Sequence, residues 1–114
     1  PEVLVASGPI YESMVIRGNT AKIFFKHATG LSARVVTEPL TEFLICGEDR
    51  VFHPAIATIV ANTVELTAPE VSAPIAARLG WSDSSQPNLV NAAELPASPF
   101  RTDDFPLLSD GKDF

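Results

Sequence analysis

The apolar residues of this chain do not recur at helical spacing. They come in short runs, each cut off by glycine, proline or asparagine. The run "AKIFFKH" is the clearest. Ala21, Ile23, Phe25 and His27 alternate with Lys22, Phe24 and Lys26. Period two with lysines on one side is the pattern of a half-buried antiparallel strand. Just before it, "SMVIR" reads as a strand with Met14 and Ile16 on one face. Gly18-Asn19 lies between the two, and both residues tolerate the positive φ that a tight hairpin demands.

The same punctuation continues. Gly30 and Pro39 bracket an irregular connection with a short strand expected at Ala33–Val36. "FLICG" reads as a strand buried on both faces, and "GEDR" as a turn. A second hairpin is expected where Ile56, Thr58 and Val60 lead into an Ala61-Asn62 turn and Val64 and Leu66 return. "APEVSAP" is a proline-bounded loop. "IAARLGW" then places Ile75, Ala77, Leu79 and Trp81 inward, with Ala76, Arg78 and Gly80 outward. Six to eight short strands with turns between them predict an all-β fold, an antiparallel two-sheet sandwich of immunoglobulin-like or jelly-roll type.

A chain of 114 residues is one domain's worth. Residues 1–82 are expected to form the sandwich, 83–106 a proline-rich ordered extension packed on it, and 107–114 a flexible tail. The extension holds "LPASPFRTDDFP", from Leu95 to Pro106. Disordered termini are poor in aromatics, yet Phe100 and Phe105 flank Arg101, Asp103 and Asp104 here. Phe100 and Phe105 are therefore expected to be apolar anchors, and Arg101 is placed to pair with Asp103, Asp104 or an acid outside the chain. Trp81, at the end of an inward series, is expected to pack rather than to present a sugar platform.

The formal charge is −6, with basic residues scattered along the chain. Nucleic-acid binding needs clustered Lys and Arg, so no nucleic-acid partner is expected. No apolar run approaches the roughly 20 residues of a membrane helix, so no membrane partner is expected either. "PEVLVASGPI" lacks a leader-like pattern, and a chain opening on Pro1 reads as an excised piece or a mature product. Cys46 has no second cysteine to pair with. His27 and His53 are the two imidazoles, and neither lies in a pattern that supplies a nucleophile and an orienting acid. Adjacent Glu48 and Asp49 do not have the geometry of a glycosidase pair. No catalytic residue, metal or cofactor is expected in this chain.

Four blocks carry a resemblance: "SGPIYESM", "GEDRVFHPA", "APEVSAPIAARLGW" and "NLVNAAELPASPFRTDDFP". In this order they resemble the C-terminal portion of the sialate O-acetylesterase family of carbohydrate esterases. "LPASPFRTDD" is the most specific of them. The resemblance implies a parent Ser-Gly-Asn-His hydrolase that removes O-acetyl groups from sialic acids or related glycans. Its nucleophile and Asp-x-x-His dyad would lie in a preceding α/β domain, absent from these residues. His53 follows Asp49 in Asp-x-x-x-His, the wrong spacing, so no catalytic residue carries over. The implied partners are that catalytic domain and, through it, an O-acetylated glycan, and the implied location is periplasmic or extracellular. The chain departs from the family at Val90 and Leu79, where tyrosines are usual, and at Ala93-Glu94, where Glu-Gly is usual. A free-standing carbohydrate-binding or structural interaction module is the alternative reading, although Tyr11 and Trp81 are the only Tyr and Trp.

Overall fold

The computed structural model describes residues 8–80 and 88–103. Among them the chain forms ten strands and no helix. These are β1 (Ile10–Arg17), β2 (Thr20–Lys26), β3 (Ser32–Ala33), β4 (Phe43–Cys46), β5 (His53–Pro54), β6 (Ile56–Val60), β7 (Thr63–Thr67), β8 (Ala76–Leu79), β9 (Leu89–Val90) and β10 (Phe100–Arg101). Two four-stranded sheets, β1-β2-β7-β6 and β10-β8-β4-β5, hold eight of them, and β3 with β9 makes a small ribbon. Every pairing is antiparallel.

Alternation in β2 builds one half of the core. Ala21, Ile23 and Phe25 are buried, while Lys22 and Phe24 are only half-covered and Lys26 is exposed. Val64 and Leu66 of β7 stand beside Ile23 and Ala21 in the ladder. Phe43 and Ile45 of β4, Ala77 and Leu79 of β8, Leu89 of β9 and Phe100 of β10 complete the same cluster from the second sheet and the ribbon. The two sheets thus cover each other's apolar faces, which makes a β-sandwich.

The first hairpin closes on Gly18-Asn19 between Arg17 and Thr20. Gly18 alone takes positive φ, 60°. Positive φ at the first central position only is the II′ arrangement, whose twist suits a two-residue hairpin. The second hairpin closes on Ala61-Asn62 with Ala61 at φ 54°. The Thr63 hydroxyl steadies that turn by donating to the Val60 carbonyl at 2.7 Å. In β6 the alternation sends Ile56, Thr58 and Val60 to solvent, while Ala57 and Ile59 pack on the core.

Several strand ends differ from expectation, each because tertiary pairing decides where a strand stops. β2 ends at Lys26. His27 turns out of it with φ 58° and is exposed, rather than filling the next inward position. The short strand after Gly30 is Ser32–Ala33, and the chain turns at 35–38 with Val36 left 79% exposed. Ile75 precedes β8 and is exposed, its amide bonded to the Cys46 carbonyl. Ala76 and Gly80 are buried although alternation sends them outward. The outward side of β8 is partly covered as well, the Phe52 ring lying over Arg78.

Residues 88–103 supply both β9 and β10. Gly8 passes so close to this segment that a Cβ would fall on the Pro96 carbonyl. The Ser98 amide donates to the Pro9 carbonyl at 3.0 Å. A chain ended at Glu94 should therefore be less stable than one ended at Pro106 by at least about 3 kcal/mol, from the lost burial of Phe100 and the broken pairing of Asp103. Denaturant melts of the two chains check this, and equal midpoints would show that the segment adds nothing to the sandwich.

Candidate functional site

The densest set of polar and aromatic contacts surrounds the end of β10. Phe100 stands opposite Leu79, and Arg101 opposite Arg78. The Phe100 ring stacks on Tyr11 of β1, with centroids 4.8 Å apart and planes 21° from parallel, and meets Phe25 edge-on at 5.9 Å. Such pairs contribute about 0.5–1.5 kcal/mol beyond their buried area. Burial raises the pKa of the Tyr11 phenol. This aromatic trio joins one sheet to the other along one side of the sandwich.

One residue further on, Thr102 and Ala77 exchange two bonds. The Thr102 amide donates to the Ala77 carbonyl at 3.0 Å, and the Ala77 amide donates to the Thr102 hydroxyl oxygen at 3.0 Å. Asp103 then takes the Arg78 guanidinium in a two-point fork, Nε to Oδ2 at 3.0 Å and Nη2 to Oδ1 at 2.9 Å. The carboxylate side chain is 2% exposed and the guanidinium side chain 12%. The Phe52 ring lies 3.9 Å from the guanidinium carbon, covering the cation's face. The two-point grip on Asp103 comes from Arg78, on the neighbouring strand. Of the other residues singled out in the sequence, Trp81, Asp104 and Phe105 lie outside the described residues.

Two asparagines that sequence reasoning passed over organise the ends of the ribbon. The Asn88 Oδ1 accepts from the Thr41 amide at 2.8 Å and from the Thr41 hydroxyl at 3.2 Å, and its Nδ2 donates to the Pro39 carbonyl at 2.9 Å. Asn91 is 4% exposed. Its Nδ2 donates to the His27 carbonyl at 3.1 Å, while its Oδ1 accepts from the amides of Ala93 and Leu95 at 3.1 and 3.2 Å. Both side chains thus satisfy backbone groups that have no ladder partner. The signal was present in "NLVN": two amides three residues apart, bracketing two apolar residues that are both buried.

The reactive side chains are dispersed. His27 follows the end of β2 in the first sheet, and His53 sits in β5 of the second, opposite Ile45. Cys46 is fully buried. Burial pushes its thiol pKa up, and the charges of Asp103 and Asp49 push the same way. A thiol held protonated is a poor nucleophile. Among the described residues no cluster of three His, Cys, Asp or Glu side chains is placed to hold a metal ion. A groove of about 360 Å³ runs between the 31–40 connection and β6, and a second depression carries Glu48, Asp49 and Glu70.

No family model matches the chain, and no curated protein matches it. Among solved structures, a carbohydrate acetylesterase from Xanthomonas citri matches 91% of this chain at 38% sequence identity and a TM-score of 0.85. The match covers 24% of that protein's chain, so this chain spans about a quarter of the structure it resembles. Fold and sequence together relate the all-β module to the carbohydrate esterases.

The fork at Asp103 makes a specific expectation. Asp103→Ala strands a nearly buried guanidinium and should cost about 3–5 kcal/mol. Arg78→Met combined with Asp103→Leu should cost less than the sum of the two single changes, with a coupling of about 0.5–3 kcal/mol. A double-mutant cycle by urea denaturation measures it. Strict additivity would mean that the pair does not act as a unit.

Proposed function

We propose that this chain is the non-catalytic C-terminal accessory β-sandwich of a carbohydrate O-acetylesterase of the sialate O-acetylesterase type. In that role it packs against a Ser-Gly-Asn-His hydrolase domain elsewhere in the same polypeptide. The observation that carries the reading is the match at 38% identity over 91% of this chain but only 24% of an acetylesterase. The site chemistry agrees with it. Arg78, Asp103, Asn88 and Asn91 all bond within the module, which suits groups that fix a shape. In this reading 83–106 folds with the sandwich, 107–114 is dispensable, the glycan is met through the catalytic domain, and the protein works in the periplasm or outside the cell.

The 114-residue chain should hydrolyse p-nitrophenyl acetate no faster than equimolar imidazole, whereas the longer natural protein should turn it over. The residues preceding Pro1 should carry the hydrolase domain. Turnover by the short chain that disappears in His53→Ala would overturn the non-catalytic assignment.

A further inference from the structure

Among the described residues four strands form the edges of the two sheets: β1 and β6 in one, β10 and β5 in the other. An edge strand presents unpaired amides and carbonyls, and proteins blunt it with bulges, charges, prolines or shortness. β1 has an irregularity between Tyr11 and Ser13, where Glu12 intervenes, and ends on Arg17. β5 is two residues long and contains Pro54. β10 is two residues long, follows Pro99 and contains Arg101. β6 has none of these devices. Its sequence "IATIV" is uncharged and free of proline, and its pairing with β7 is regular over all five residues. Ile56 is 60% exposed and Val60 39%.

Beside this edge lies the groove of about 360 Å³, lined by Leu31, Val36, Leu40, Ala57, Thr58 and Ile59, with Glu38 as its charged residue. Val36, on its wall, is the most exposed of the large hydrophobic side chains among the described residues. Among the described residues no strand pairs with this outer edge. An open edge beside a trough of mixed apolar and polar lining is the geometry of strand addition, in which main-chain bonds supply affinity and alternate side chains fill the trough.

We infer that an extended segment of the longer polypeptide, lying outside these 114 residues, pairs with the free edge of β6 and drops its aliphatic side chains into this groove. The inference rests on the accessory-domain reading. A second copy of the chain is the weaker occupant, because each copy carries a formal charge of −6 and like charge opposes association. The matching acetylesterase has more than three quarters of its length outside the matched segment, so residues to supply such a strand exist in a protein of that kind. Five residues of edge span roughly 17 Å, the reach of a short extended segment.

Hydrogen exchange read at 56–60 tests it, in the 114-residue chain and in the longer natural protein. The outward-facing amides of β6 should exchange on the order of a hundredfold more slowly in the longer protein. A second measurement needs the longer protein alone: its β6 amides should exchange as slowly as those of β7, an interior strand. Equal β6 rates in the two proteins would overturn the proposal, as would faster exchange of β6 than β7. So would slow β6 exchange in the short chain accompanied by dimerisation in sedimentation, because the occupant would then be a second copy. A longer protein without a hydrolase domain removes the accessory-domain reading. One that has the domain but leaves β6 fast removes only this inference.

Discussion

The fork between Arg78 and Asp103 sets the width of the second sheet. β10 is two residues long, too short to be held by ladder bonds alone. In its register Arg101 faces Arg78, and like charges directly opposite each other repel. Asp103 resolves this by reaching back from two residues further on to take the Arg78 charge through both oxygens. Phe52 covers the guanidinium face, so the cation leaves water with its hydrogen bonds and its π-contact already in place. A buried pair of this kind adds little net stability over an apolar pair of the same shape, but it is costly to break. What it supplies is register: no slipped pairing of β10 on β8 keeps the fork, the Thr102 exchange and the Phe100 stack together.

The asparagines do for the loops what the fork does for the sheet. Residues 27–41 contain little ladder, and their carbonyls and amides need partners. Asn88 and Asn91 provide them from a segment far away in sequence. The irregular connection beside β6 is thereby fixed by side chains rather than left to find its own conformation. The wall of the groove inherits its shape from that anchoring. A module related to the carbohydrate esterases thus carries a surface whose outline is set by side-chain bonds.

Much of the sandwich was legible because its cues are local. The alternation of 21–26 gives the inward face of β2 directly, and Gly18 marks its hairpin. "FLIC" reads as a covered strand because little in it is polar. What stayed hidden depends on distance in space. Asp103 had a nearby arginine at 101, and nothing local points to the one at 78. Asn88 and Asn91 sit in a polar stretch that resembles a linker until the carbonyls of Pro39 and His27 are brought beside them. His27 and Ile75 were misplaced because alternation continues on paper after the pairing that sustains it has ended. Trp81 and Phe105 fall outside the described residues, so their expected packing stands as it was.

β8 is made before the residues that finish it. Between the emergence of Leu79 from the ribosome and that of Asp103, β8 can have β4 on one side and a raw edge on the other, with the Arg78 cation lacking the Asp103 carboxylate. Domains form in the order in which the chain is made, and unpaired edges are where nascent chains stick to each other. The last short strand therefore acts as a completion step for the sandwich during translation. A ribosome that pauses before residues 100–103 have left the exit tunnel would hold the module in its stickiest state.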